Sequence, residues 1–167
     1  MKPARLVTVS SASHPHSSLV AGEDLTYEIT PATPEERDKL ASLPVFSGSS
    51  RSLARKVQRG DVLIAKEVED GQIIGFLIAE LYGFFDENTV SLVVVDSHCR
   101  RRGVGTAMVH AAEDIFGKGK LFMATNASNA PMRQLCDKLG YKEVGRIQVQ
   151  DETDPEVIYL KRLENNG

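Results

Sequence analysis

The hydrophobic period of the chain changes twice between residues 89 and 125, and this change constrains the fold more than any other feature. Thr89–Val95 is an apolar run typical of a strand, Gly103–Phe116 repeats apolar residues at helical spacing, and Lys120–Thr125 is again strand-like. A strand, a helix and a strand in succession form a βαβ unit, whose two strands lie parallel in one sheet. The sequence therefore predicts an α/β fold.

The remaining elements extend this unit into a mixed sheet. Apolar runs, turn residues and helix-start signals predict these elements: strand Leu25–Thr30, a helix from the capping Thr33 and Pro34 to about Leu43, helix Ser49–Arg59, strands Val62–Val68 and Gln72–Tyr82, a reversal at Gly83–Asn88, helix Asn129–Leu139, and strands Tyr141–Gln150 and Glu156–Arg162. Short connections favour antiparallel neighbours. We expect an α/β (α+β) fold with a mostly antiparallel central sheet, about four helices and one βαβ unit.

A length of 167 residues suits one domain. Residues 1–24 are rich in serine and lack a sustained period, so they predict a loose N-terminal arm, in which Leu6–Val9 is a candidate edge strand. Residues 25–167 are expected to form the single domain.

Composition excludes several classes of protein. With 41% hydrophobic and 26% charged residues, the chain is neither disordered nor a multi-span membrane protein, and no apolar run approaches the roughly 20 residues that a bilayer needs.

Two cysteines without a Cys-x-x-Cys spacing favour a reducing compartment, and with no export signal we expect the cytoplasm. A net charge of −3 argues against nucleic acid as a partner. Homodimerisation stays open.

The segment between the strand and the helix of the βαβ unit has the features of an anion site. Arg100, Arg101 and Arg102 are consecutive cations, and Gly103 and Gly105 let backbone N–H groups approach a ligand closely. A helix N-terminus without acids in its first turn favours a bound anion such as a diphosphate. The alternative is that the glycines serve tight geometry and the arginines form a solvated corner.

The same segment, Arg-x-x-Gly-x-Gly from Arg100 to Gly105, resembles the pyrophosphate-binding loop of the GNAT superfamily of N-acetyltransferases. A second match follows, because Asn129 opens a predicted helix that ends in Gly140 and the aromatic Tyr141, as in that family. The order of predicted elements also agrees, and the resemblance covers about Leu25–Leu163.

The resemblance implies that acetyl-CoA is the co-substrate. It implies direct attack on acetyl-CoA, in a ternary complex, by an amine of a small molecule or a protein; the alternative is a non-catalytic CoA-binding regulatory module. The residues that the resemblance assigns to the cofactor are Val93, Val95, Arg100, Arg101, Arg102, Gly103, Val104, Gly105, Thr106 and Asn129. Core packing of Val93 and Val95 is compatible with this role, and a helix N-cap is the alternative for Asn129.

The proton donor and acceptor depart from the family pattern. Where the family often has a tyrosine that protonates the leaving thiolate, this chain has Cys136, on an apolar helix face that favours a core role. Tyr141 or water is the alternative acid. Glu80, within an apolar strand, is the candidate base if burial raises its pKa; otherwise it lies at the wet end of the strand.

No carboxylate is expected on the strand before the loop, where Thr89, Ser91 and Val93 are predicted to share a face. No His, Cys, Asp or Glu cluster has the spacing of metal ligands, so we expect no metal.

Overall fold

The structure is a computed structural model that describes residues 7–10, 25–42, 50–84, 86–148 and 153–164. Eight strands and four α-helices lie along these segments. The strands are β1 (Val7–Ser10), β2 (Thr26–Pro31), β3 (Val62–Glu67), β4 (Ile73–Phe84), β5 (Glu87–Val95), β6 (Gly119–Asn126), β7 (Lys142–Ile147) and β8 (Glu156–Leu163). The helices are α1 (Arg37–Ala41), α2 (Ser50–Arg59), α3 (Val104–Phe116) and α4 (Ala130–Lys138).

The described strands form one sheet in the order β1-β2-β3-β4-β5-β6-β8-β7. Only β5 and β6 are parallel, and they are joined through α3, which confirms the predicted βαβ unit. Every other neighbouring pair is antiparallel. The predicted fold class is confirmed.

Two apolar cores lie on opposite faces of the sheet. On the first face α3 and α4 pack against the strands, with Met108 and Cys136 fully buried. On the second face α1 and α2 pack against β3, β4 and β5, with Leu40 and Leu53 fully buried. Strand β4 lies between the two layers, and its residues 74–79 are all buried, which explains its nearly continuous apolar sequence.

The first helix differs from its prediction. The chain makes a turn over residues 34–36, and α1 begins only at Arg37, so Thr33 is not the N-cap. The Glu36 N–H donates to the Thr33 carbonyl (3.1 Å), and the Glu36 carboxylate accepts from the Thr33 N–H (2.8 Å). These two bonds close a turn before the helix. The predicted end at Leu43 lies outside the described residues.

The reversal between β4 and β5 is tighter than predicted. Pairing continues to Phe84 and Glu87, where the sequence predicted a reversal over Gly83–Asn88. Tyr82 and Asp86 have φ values of 58° and 56°, a conformation that the alternation of side chains does not reveal.

A β-bulge in β5 changes which side chains share a face. Ile78 pairs with Leu92 and Ala79 with Val90, so Ser91 is the extra residue on β5. Val90 and Val93 therefore both pack on the first face, and Ser91 is exposed. The prediction that Thr89, Ser91 and Val93 share a face is wrong, because the bulge shifts the alternation by one residue.

Within the predicted N-terminal arm, residues 7–10 form the edge strand β1, which agrees with the expected strand to within one residue. The rest of residues 1–24 lies outside the described segments. In the part of the chain that the structure describes, no helix has the length and apolar character needed to cross a membrane.

We expect Leu53→Ala to lower the free energy of unfolding by about 2–5 kcal/mol, because it leaves a cavity between α2 and the sheet. Ile115→Ala is the control: Ile115 is 52% exposed on α3 and should cost far less. Urea unfolding followed by circular dichroism measures both. Equal losses would contradict the packing of α2 on the second face.

Candidate functional site

Hydrogen bonds to Asp96 hold the start of the loop between β5 and α3 in place. The Asp96 N–H donates to the Ile74 carbonyl (2.9 Å), and the Asp96 carboxylate accepts from the His98 N–H (2.9 Å) to start a 3₁₀ turn over Ser97–Cys99. The chain then turns through Arg101 and Gly103, at φ 61° and 86°. This path delivers the chain to the start of α3 beside the end of β5.

The N-terminus of α3 presents bare donors. Gly103 is the N-cap and has no side chain to cap the helix, and the first turn contains no acid. The first N–H bonded within the helix is that of Ala107, to the Gly103 carbonyl (2.9 Å). The N–H groups of Val104, Gly105 and Thr106 therefore lie at the positive end of the helix without an intrahelical acceptor.

Arg100, Arg101 and Arg102 are exposed around this N-terminus. The Nε of Arg100 donates to the Val95 carbonyl (3.1 Å), so its side chain lies back along the end of β5. Three guanidinium groups beside bare amides create a local positive field on a chain of net charge −3.

Gly105 lies where α3, β5 and α4 meet. A Cβ atom there would lie 3.6 Å from Val95 Cγ2 and 3.7 Å from Leu135 Cδ2. These are ordinary contact distances, so alanine fits and a larger side chain collides. Gly105 thus keeps a narrow space open between α3 and α4.

Beside that space, the hydrogen-bonded pairing between β5 and β6 ends. Their pairing covers Asn88–Val90 and Leu121–Met123 and then stops. Beyond it β5 still pairs with β4 as far as Val95. Beyond Val90, no described strand therefore pairs with the backbone edge of β5 that faces β6, although the Val95 carbonyl accepts from Arg100 Nε.

Asn129, the last residue assigned to the cofactor, is the N-cap of α4. Its Oδ1 accepts from the Met132 N–H (3.3 Å), and its Nδ2 donates to Thr125 Oγ1 (3.0 Å). The structure thus shows Asn129 as a helix N-cap, which is the alternative to a contact with the cofactor. The residue is exposed at the β6 side of the opening.

Glu80 is neither in an apolar pocket nor fully in water. Lys56 forms an ion pair with its carboxylate, and Arg59 Nη2 lies 3.7 Å from the same oxygen. Burial raises the pKa of Glu80, but hydrogen bonds from Lys56 and Ser91 and the charges of Lys56 and Arg59 outweigh it and lower the pKa below its ordinary value. Of the two alternatives for Glu80, a base with a pKa raised by burial is therefore wrong.

Cys136 and Tyr141 are both buried in the first core. Burial raises the pKa of the Cys136 thiol to about 12. The Tyr141 hydroxyl donates to Glu113 Oε1 (2.9 Å), and burial together with this carboxylate raises the pKa of Tyr141. Glu113 lies near the opposite end of α3 from the loop. The structure therefore brings the cofactor candidates together and leaves these two outside the opening.

Sequence reasoning missed the contacts that hold the β6 side of the opening. The Asp154 carboxylate accepts from the Ser128 N–H (2.8 Å) and hydroxyl (2.7 Å), and the Asp154 carbonyl accepts from Asn126 Nδ2 (3.3 Å). No pattern in the sequence links these residues. Among the described residues, no group of three His, Cys, Asp or Glu side chains is placed to hold a metal ion.

The geometry matches known proteins. A sequence profile of the acetyltransferase (GNAT) family matches residues 25–141, more than half of the chain. An N-alpha-acetyltransferase of Sulfurisphaera tokodaii is 28% identical, over 45% of this chain and 53% of its own, so the match spans about half the length of that curated relative.

Two solved structures share the fold. The first is a GNAT-family acetyltransferase from Bacillus cereus, with a TM-score of 0.70 and 25% identity over 83% of this chain and 99% of that one. The second, the NatC complex bound to Gag peptide and CoA, has a TM-score of 0.70 and 14% identity over the same shares of the chains. Profile, sequence and fold agree: the chain belongs to the GNAT family of acetyltransferases.

Proposed function

We propose that the chain transfers an acetyl group from acetyl-CoA to an amine by direct attack within a ternary complex. The observation that carries this proposal is the junction of two features. The gap between β5 and β6 ends at an uncapped helix N-terminus surrounded by arginines. A molecule with an extended amide-bearing arm and a diphosphate at one end fits such a junction.

The helix N-terminus takes the diphosphate. The N–H groups of Val104, Gly105 and Thr106 donate to its oxygens, and Arg101 and Arg102 add positive charge. Gly103 and Gly105 have no side chain that would keep the phosphates at a distance. An acid in the first turn would repel the diphosphate, and α3 has none there.

The open edge of β5 takes the pantetheine arm. The arm carries two amide groups, which pair with strand backbone as a neighbouring strand would. The side chains of Val93, Val95 and Leu135 pack against the first core and form an apolar border to the gap. Binding here satisfies backbone groups that β6 leaves unpaired.

Chemistry then needs little from side chains. The neutral amine attacks the thioester carbonyl, a C–N bond forms, the C–S bond breaks, and CoA leaves as a thiolate. A thiol has a pKa near 8.5, so the thiolate is a fair leaving group and water can protonate it. A backbone N–H on the open edge of β5 stabilises the transient oxyanion.

Glu80 acts as a positioning residue in this scheme. A carboxylate with a lowered pKa is a poor base for an alkylammonium, whose pKa is near 10.4. Glu80 instead accepts a hydrogen bond from Ser91, the bulge residue where the gap begins. It thereby holds the bulge, and the amine proton leaves through water.

A protein N-terminus is the acceptor we favour. The relative that supports this is an N-alpha-acetyltransferase, and a structure of the same fold holds a peptide together with CoA. An α-amino group has a pKa near 7.7–8.0, so a large fraction is neutral at pH 8 without a strong base. This suits a site whose described side chains provide none.

Acetyl-CoA incubated with peptides and small amines should release free thiol with at least one acceptor, and faster for peptide N-termini than for lysine side chains.

Gly105→Val should reduce CoA affinity at least tenfold by filling the space between α3 and α4. Gly145→Val, at a glycine with open surroundings on β7, is the matched control and should bind CoA normally.

CoA binding without transfer to any amine would contradict catalysis and favour the regulatory module. Unchanged CoA affinity in Gly105→Val would contradict the placement of the cofactor.

Glu80→Gln should lower the free energy of unfolding at pH 7 by about 1 kcal/mol, because it removes charged hydrogen bonds. The folded pKa lies below the reference value of 4.5. The stabilisation is therefore complete above pH 4.5 and is lost as pH falls through the folded pKa. Denaturation between pH 3 and 7 measures it, with the exposed Glu69→Gln as control. If the difference in free energy of unfolding between wild type and Glu80→Gln grew at low pH, the lowered pKa of Glu80 would be contradicted.

Cys136→Ala should change kcat by less than about threefold, because a buried thiol with a pKa of about 12 does not protonate the leaving thiolate. Steady-state thiol release at several pH values measures this. A thousandfold fall in kcat at unchanged melting temperature would assign the acid role to Cys136.

A further inference from the structure

Tyr27 lies on β2 and points into the first core, toward the loop that precedes α3. Its side chain is almost fully buried, with 1% of the residue exposed. The ring packs within the same core cluster as Val104 and Met108 of α3. The tyrosine thus reaches the N-terminus of α3 from β2, which lies three strands away from β5 in the sheet.

The Tyr27 hydroxyl has no hydrogen-bond partner among the residues that the structure describes. Every fully buried side-chain nitrogen or oxygen in these segments does have a partner. Solvent must therefore reach the Tyr27 oxygen, although it reaches almost nothing else of the residue. A hydroxyl placed in this way has room for an acceptor from outside the described residues, either water or an oxygen of a ligand.

The place where that atom would lie is defined by Gly103. A Cβ atom on Gly103 would have one non-neighbouring heavy atom within 4 Å, the Tyr27 hydroxyl oxygen at 3.7 Å. Among the described residues, no other atom apart from the chain neighbours of Gly103 lies this close to that position. Gly103 directly precedes Val104, Gly105 and Thr106, so an anion held by their N–H groups would lie near the hydroxyl.

We propose that the Tyr27 hydroxyl donates a hydrogen bond to the diphosphate of acetyl-CoA and so helps to select a phosphorylated acyl donor. This inference rests on the proposed function, since it concerns the same cofactor. Burial raises the pKa of Tyr27, which keeps the hydroxyl protonated and able to donate. A neutral donor here adds recognition without adding charge to the three arginines.

Isothermal titration of wild type and Tyr27→Phe with CoA and with dephospho-CoA, which lacks the 3′-phosphate, tests the proposal. We expect Kd to rise about tenfold for both ligands, as for the loss of one hydrogen bond to a charged group. The melting temperature of the free protein should stay unchanged, because the hydroxyl has no partner there to lose.

Tyr159→Phe is the matched control. Tyr159 is equally buried in the same core, and its hydroxyl accepts from Arg133 Nε (3.3 Å). This variant should leave the Kd for CoA unchanged and lower the melting temperature.

Three results would overturn the proposal: equal Kd values for wild type and Tyr27→Phe, a loss confined to CoA, which would indicate the 3′-phosphate, or an equal loss in Tyr159→Phe. Failure of the wild type to bind CoA would instead overturn the proposed function and, with it, this inference.

Discussion

The candidate site depends on one interruption of hydrogen bonding in the middle of the sheet. The β4–β5 ladder continues to the pair Gly75 and Val95, and the β6–β8 ladder continues to Asn126 and Glu156. Only the parallel pairing between β5 and β6 stops early. The two halves of the sheet therefore diverge beyond the pair Val90 and Met123, which leaves a gap between β5 and β6.

Each half is held in place by its own contacts. Asp96 fixes the end of β5 to β4, and Asp154 fixes the β6–α4 connection to the turn before β8. Neither set of bonds crosses the gap, so each holds one side in place without closing it. The backbone groups of β5 that β6 does not reach are thus left for another partner, apart from the Val95 carbonyl, which accepts from Arg100 Nε.

The charges along α3 depart from the usual preference of a helix. Acids normally favour the first turn and cations the last, but α3 has neither. Its acids come near the C-terminal end, where Lys161 Nζ lies 2.8 Å from Glu113 Oε1 and His110 Nδ1 lies 3.1 Å from Oε2. These contacts compensate Glu113 locally. The positive N-terminus is consequently left for an anion.

The sequence could predict what depends on local order. Alternation and helical spacing along residues 89–125 predict the βαβ unit, and the glycines with the three arginines predict the loop. It could not predict contacts between distant residues. The ion pair with Lys56 decides between the two alternatives for the pKa of Glu80, the Ser91 bulge moves Val93 to another face, and the approach of Tyr27 to Gly103 has no local signature. Each of these arises from the packing of separate elements.

The cysteine on α4 has a consequence for how the site works. Cys136 and Leu139 are buried, and Met132 and Leu135 pack beside them. Leu135 is the residue of α4 that a side chain at Gly105 would contact, so this contact of α4 with the start of α3 is apolar and includes no proton donor. A thiolate leaving beside such a surface takes its proton from water. In this scheme the rate follows the neutral fraction of the acceptor amine, so the acceptor's own pKa sets the pH dependence. Because the proposed mechanism also includes no protein base, it favours acceptors such as α-amino groups, of which a large fraction is neutral near pH 8.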